Sequence, residues 1–365
     1  MALKKDFENP IPLIFDFWKF MTTRNALLAV ILAVYYSNAF SQTVEGTKPA
    51  KNADSTYIRT FIKSNDVRVF YGGQGNRMVL GSLRDGSPDL TKSTYNNTND
   101  FIGFGITYKW LDGDASFSLP GTTYLNEERS SLDQFKLSGS YTRRMVGYRA
   151  YLSDSKGMVI SGNNDEYQSG PSLHEFRIGL QATFIFNEQK YSYRAALYQN
   201  EKQMTTAGSF LLRVEPFFRD LGGTGESIVP EPYDDEPRFG EQVGLKYVRA
   251  PGFILMPGYG VNFVFKNSPL FISPILLAGA GVAFNNYKSD KGNATHVNME
   301  YNAYFLLNAG YNGSLFYSRV QFTYAMGYSP IQPAYLTSTN LMVSLLAGYR
   351  LKDIKMGRRG MGRRA

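Results

Sequence analysis

Two histidines come first, because imidazole is the commonest general base near neutral pH. His174 has Ser172 and Glu175 as neighbours, and His296 has Asn293 and Glu300. A hydrolase needs its histidine held against a serine hydroxyl and oriented by an acid or an amide. Such neighbours are common by chance, and both histidines fall at the starts of strand-like stretches beside loops. They read as rim residues. An outer-membrane lipid hydrolase is therefore the weakest functional reading, and no catalytic residue is assigned. The 365 residues contain no cysteine, which removes thiolate catalysts, disulfides and Cys-ligated metals. Gly103-Phe104-Gly105 and Gly279-Ala280-Gly281 superficially resemble phosphate loops, but no helix pattern follows either. Their expected role is to let a strand bend or a lumen side chain approach. No cofactor and no metal is expected.

The charged residues carry more. Lys109, Lys136, Arg149, Arg177, Arg194, Arg213 and Arg319 share the polar parity of their stretches with Glu175, Glu215 and Glu300. In a barrel they would face the lumen. A ring of basic groups favours anions in a pore. The preferred expectation is instead a network of salt bridges and hydrogen bonds that fills a closed interior. The excess of bases over acids keeps the pore reading open. Residues 217–241 concentrate acids, including Glu231, Asp234, Asp235 and Glu236, with prolines at 230, 232 and 237 that discourage regular structure. This segment reads as a solvated linker, since it lacks the oxygen spacing of a calcium loop. Asp54-Ser55-Thr56 matches a short O-glycosylation pattern.

What positions these groups is a two-residue rhythm running from about Phe101 to Leu351. In its clearest stretch Phe176, Ile178, Leu180, Ala182, Phe184 and Phe186 alternate with Arg177, Gly179, Gln181, Thr183 and Ile185. Period two means a strand with one apolar face. An outer-membrane barrel turns that face to lipid, whereas a soluble sandwich turns it inward. The N-terminus favours the membrane. Arg24, the apolar run Ala26 to Tyr36, and small residues before a Ser41/Gln42 cut have the anatomy of a cleaved signal peptide. Met21 opens a better signal than Met1 does. Mean hydropathy is −0.28, and after the signal no run of apolar residues is long enough for a membrane helix. Barrel strands escape such a test because half of each is polar.

The reading is all-β: a transmembrane antiparallel up-and-down barrel of about 14 strands, with 12 as the fallback. Residues 1–41 form the signal region, 42–65 a periplasmic lead-in, 66–351 the barrel, and 352–365 a basic Gly/Arg tail. Reaching 14 requires a strand beginning near Lys190 and an extra crossing through Val243, Leu245 and Tyr247. That crossing places residues 218–241 on the periplasmic side. Long external loops are expected at 84–99, 120–131, 155–173, 285–296 and 328–338.

The segments YSYRAALYQNEKQMTTAGSFLLRVEPFF (191–218) and MPGYGVNFVFKNSPLFIS (256–273) resemble signatures of the domain-of-unknown-function family four-four-two-one, found in exported proteins of Bacteroidota. The resemblance runs from about Tyr57 to Leu351. It implies an outer-membrane barrel and no known activity, so it brings no functional residues. The basic tail is unusual for the family.

Formal net charge is +8, and much of the excess sits in the tail, where Lys352, Lys355, Arg358, Arg359, Arg363 and Arg364 face only Asp353. On an exported protein, Arg358, Arg359, Arg363 and Arg364 suit an envelope protein or an anionic envelope polymer better than nucleic acid. The preferred function is a structural or accessory subunit of an envelope assembly in the outer membrane of a Gram-negative bacterium, in contact with its lipid. The alternative is passive transport of small solutes, anionic ones included, or of lipids. The chain is not expected to be an enzyme.

Overall fold

A computed structural model describes residues 46–84, 87–122, 133–161, 173–223, 227–228, 244–265, 268–331 and 334–351. The signal region, the basic tail and most of the acidic linker lie outside the described residues. Two short strands, β1 (Thr47–Pro49) and β2 (Ile58–Phe61), come first. Six long strands follow: β3 (Asn65–Arg84), β4 (Ser87–Tyr108), β5 (Leu111–Ser118), β6 (Asp133–Thr142), β7 (Val146–Ser161) and β8 (Leu173–Ile185). A helix, α1 (Tyr193–Leu197), and a short strand, β9 (Glu201–Gln203), interrupt the series. It resumes with β10 (Ala207–Gly223), β11 (Tyr247–Val264), β12 (Leu270–Ser289), β13 (Gly292–Asn312), β14 (Phe316–Ile331) and β15 (Ala334–Leu351).

Twelve of these strands close into one antiparallel barrel, β3 through β8 and β10 through β15. The seam is β15 against β3, in register from Ala334↔Ser82 to Leu351↔Asn65. Closure leaves no unpaired edge, the condition a sheet must meet to stand in hydrocarbon. Above the short β5–β6 hairpin, β4 and β7 pair directly at Thr94↔Ser161 and Asn96↔Val159. Strands β1, β2 and β9 form a separate three-stranded sheet at the end that holds the barrel's two termini.

The alternation sorts side chains as a membrane barrel requires. Val67, Phe104, Ile178, Leu180, Phe253 and Leu255 point outward and are 42–60 % exposed. Such a continuous apolar exterior is a liability in water and the normal surface in lipid. The opposite parity is polar and buried, with Arg68, Gln74, Thr183, Arg213, Glu215, Asn308 and Arg350 among it.

Twelve strands, not 14, form the wall, and both surplus strands have a physical reason. The stretch near Lys190 becomes α1, because Ser192 caps a short helical turn, its Oγ accepting from Ala195 N at 3.0 Å. The proposed extra crossing does not exist. Tyr247 opens β11, which runs unbroken to Val264, and Leu245 precedes it as a buried anchor. Losing that crossing moves the 224–246 link to the end opposite the termini, the external end of a barrel with periplasmic termini. Three expected loops are also shorter than anticipated. Pairing runs out to Arg84↔Ser87, Ser289↔Gly292 and Ile331↔Ala334, because β3–β4, β12–β13 and β14–β15 extend well beyond the apolar band. Polar residues such as Asn96–Asn99 extend a hairpin in water as readily as they would form a loop, since each backbone group finds its cross-strand partner.

Candidate functional site

The interior has three levels. At the termini end, residues 187–206 fold inward as a plug. Tyr191, Tyr193 and Ala196 pack on lumen-facing Leu211, Phe217, Ile254, Met256 and Leu277. Polar groups of the barrel wall fix the plug's backbone. Asn262 Nδ2 donates to Ser192 O at 2.9 Å, Asn308 Nδ2 to Ala196 O at 2.8 Å, and Asn312 Nδ2 to Glu201 O at 2.9 Å. Arg319 donates to Leu197 O, and to Gln199 Oε1 at 2.7 Å. Arg350 donates to Gln199 O at 2.6 Å. The carbonyls left free at the end of α1 thus meet cations and amides from β13, β14 and β15, the favourable pairing at a helix C-terminus.

Two buried ionic clusters tie the plug further. Arg68 Nε donates to Asp114 Oδ1 at 2.8 Å, and its Nη1 reaches Asp66 Oδ1 at 3.2 Å and Thr107 Oγ1 at 2.8 Å. Asp112 accepts from Thr107 Oγ1 and from the plug residue Asn200 Nδ2, each at 2.7 Å. Gly105 makes room for Arg68, since a Cβ there would strike both the guanidinium and the Asp114 carboxylate. The second cluster is Glu201, held in bidentate fashion by Arg144 at 2.7 and 3.0 Å and taking the Ser192 hydroxyl at 2.6 Å. Within the plug, burial pushes the Tyr191 and Tyr198 phenols above their ordinary values.

At the opposite end an apolar layer crosses the lumen. Met78, Leu80, Tyr95, Leu173, Leu221, Val248 and Leu336 surround Ile228 and Leu245. The Tyr95 hydroxyl donates to the Ile228 carbonyl. Between plug and apolar layer lies a cavity of about 380 Å³.

Seven residues singled out by parity, Lys136, Arg149, Arg177, Arg213, Arg319, Glu175 and Glu215, converge on this cavity. Arg177 pairs with Glu215 at 3.4 Å, and Glu215 also accepts from Tyr151 Oη at 2.6 Å and Gln181 Nε2 at 2.9 Å. Lys136 donates to Gln74 Oε1 at 2.8 Å. Glu300 is buried on β13, where it takes Arg219 Nη2 at 3.0 Å. Two expected lumen charges are corrected. Lys109 lies in the exposed turn between β4 and β5, with a positive φ of 57°. Arg194 lies on α1, not on a barrel strand, and its Nη2 donates to the Lys109 carbonyl at 3.0 Å. Both were misassigned because strand parity was carried across segments that are not strands. The buried charges Arg68, Asp66, Asp112 and Arg219 were overlooked, although Arg68 and Asp66 share the inward parity of β3. The tail residues Arg358, Arg359, Arg363 and Arg364 lie outside the described residues.

The histidines stay apart. His174 meets Asp154 beside Lys156 on β7 and β8, and His296 stacks on Tyr287, its Nε2 2.9 Å from the hydroxyl. Among the described residues no group of three His, Asp or Glu side chains is arranged to hold a metal. Ser55 sits in an exposed turn, next to the Asp54 carboxylate. The Thr56 hydroxyl and amide donate to that carboxylate and lower its pKa.

The chain is similar, at low identity, to several solved outer-membrane proteins. The outer-membrane protease OmpT from Escherichia coli is 9 % identical, with 79 % of this chain and 96 % of that chain covered and a TM-score of 0.37. The translocator domain of the autotransporter NalP from Neisseria meningitidis is 12 % identical, covering 89 % and 96 %, at 0.30. The Pseudomonas putida toluene transporter TodX is 8 % identical, covering 79 % and 89 %, at 0.26. No curated protein matches the sequence. A family model described as a domain of unknown function, DUF4421, matches residues 52–351, and the chain belongs to that family.

Proposed function

We propose that this protein is an outer-membrane barrel closed to free diffusion, which serves as a scaffold or accessory subunit of an envelope assembly. The observation that carries this reading is the plug. Its backbone is held by donors from β11, β13, β14 and β15, so it is built into the wall rather than laid across the mouth. The apolar layer around Ile228 narrows the other end. The sheet of β1, β2 and β9 presents a rigid surface at the termini end, and the basic tail, continuing from Leu351 at that same end, offers Arg358, Arg359, Arg363 and Arg364 to an anionic envelope partner. Export by a cleaved signal peptide and insertion in the outer membrane follow from the N-terminal pattern and the apolar exterior. No catalytic step is part of this reading.

Passive transport is the second reading, and the basic cavity is the observation that favours it. Conductance in planar bilayers separates the two. The purified wild-type barrel should give no sustained channel current, and removing residues 188–205 should open one. Steady wild-type current, or swelling of liposomes in permeant solutes, would replace the scaffold with a pore.

A further inference from the structure

The cavity between plug and apolar layer is large enough for a small organic ligand, at about 380 Å³. Its charge is unbalanced. Three acids line it, Asp114, Glu175 and Glu215. Asp114 is committed to Arg68 and Glu215 to Arg177, and Glu175 acts electrostatically on both Arg177 and Lys136, so the three acids face a larger set of cations. Among the described residues Lys136, Arg149, Arg213 and Arg319 line the same space and form no ion pair.

The hydrogen-bond inventory is skewed the same way. Among the described residues Arg213 Nε, Arg319 Nε, Asn76 Nδ2 and Asn302 Nδ2 are buried without an acceptor. All four are donors. Arg149 makes a long hydrogen bond, to Ser138 Oγ at 3.3 Å. Arg213 is 5 % exposed, lies over the Tyr304 ring at 4.7 Å and hydrogen-bonds Tyr193, which leaves its Nε without an acceptor among the described residues. A purely structural network would match its donors with acceptors, because unpaired buried cations are costly. This lining has the opposite composition: a surplus of positive charge and N–H groups around an empty volume, with Met256, Met342 and Tyr304 as apolar wall.

We propose that this chamber is a binding site for the phosphoryl group of a small organic ligand, held by Arg149, Arg213, Arg319 and Lys136. Guanidinium forks match phosphate oxygens in pairs, and the lysine adds a point charge. The apolar wall accepts the organic portion. The same chemistry comes from a soluble phosphate ester or from a phospholipid headgroup. The inference does not rest on the scaffold reading, since a ligand can sit in a conducting or a closed barrel.

The test is calorimetric titration of the full mature chain in dodecyl maltoside with two probes, inorganic pyrophosphate and short-chain phosphatidic acid. Saturable binding that weakens with salt is expected. Arg149→Gln should weaken it about tenfold, and Arg149→Lys should recover part of the loss. Heat-modifiable gel mobility checks that each variant is folded. Should Arg149→Gln not fold, Lys136→Gln takes its place, because Lys136 bonds only Gln74 among the described residues. Tighter phosphatidic acid would identify a lipid source, and tighter or equal pyrophosphate a soluble one. Absence of saturable binding by either probe overturns the proposal. So does undiminished binding in a folded Arg149→Gln or Lys136→Gln variant, which would place the anion on the surface or the tail.

Discussion

The Arg350 guanidinium lies 3.7 Å from the centre of the Phe61 ring, joining the last barrel strand to the segment that precedes the first. Tyr317 flanks the same guanidinium at 4.6 Å, and Arg350 and Tyr317 are both almost wholly buried. Arg350 also donates to Asn312 Oδ1 at 2.6 Å, Gly313 O at 3.1 Å and Gln199 O at 2.6 Å. One side chain thus couples the β1–β2 segment, the β13–β14 turn and the plug.

Arg350→Ala should cost about 3 kcal/mol, the range for removing one partner from a buried, charge-assisted set. Urea unfolding in detergent measures this. Limited proteolysis should cut the plug and the β1–β2 segment earlier than in the wild type. Arg350→Lys should recover only part of the loss, because an ammonium keeps the charge but gives up the planar stack.

The lipid face can be tested by parity and by depth. Phe322 lies opposite Leu307 on β13 and Val343 on β15, well inside the wall. Phe322→Arg should cost about 2–4 kcal/mol of barrel stability. Phe184 pairs with Val146, the first residue of β7, so it lies near the interface and Phe184→Arg should cost less. Gln181→Arg and Gln321→Arg face the cavity, not the lipid, and should impair assembly less than Phe322→Arg. The measurement is the yield of heat-modifiable barrel, and equal loss at both parities would show the faces to be reversed.

Tyr95→Phe removes the hydroxyl that donates to the Ile228 carbonyl and leaves the ring in the apolar layer. Its cost should be about 1 kcal/mol. Leu245→Asp, at a position fully buried in that layer, should be much more damaging, since it buries a carboxylate among hydrocarbon. Thermal unfolding of the two variants side by side checks the order.

Deleting residues 354–365 should leave the barrel intact, because the seam is complete at Leu351↔Asn65. Replacing Arg358, Arg359, Arg363 and Arg364 with Gln should weaken a salt-sensitive association with envelope components. Exposed charge pairs are screened beyond about 8 Å at physiological ionic strength. Co-purification at low and high salt is the measurement. An unchanged partner profile would reduce the tail to a solvated end.

The sequence by itself determined the wall. Alternation of Phe176, Ile178, Leu180 with Arg177, Gly179, Gln181 fixes a strand and assigns its two faces, because side-chain direction in a strand depends only on parity. For the same reason the sequence alone assigns Lys136, Arg149, Arg177, Arg213, Glu215 and Arg319 to the lumen. Parity is local, however, and carries no information across a segment that leaves the sheet. Lys109 in its turn and Arg194 on α1 escape the parity rule on that account, and the stretch near Lys190 that carries Arg194 does not join the wall. Tertiary structure alone decided that residues 187–206 turn inward, that Ile228 and Leu245 cross the opposite end, and that Arg350 meets Phe61. These are contacts between residues far apart in the chain, set by closure of the barrel around a fixed interior volume. It likewise decided which buried charges find partners. Arg177 reaches Glu215, while Arg149 and Arg213 line the same cavity without an ion pair among the described residues, and no spacing rule distinguishes those outcomes.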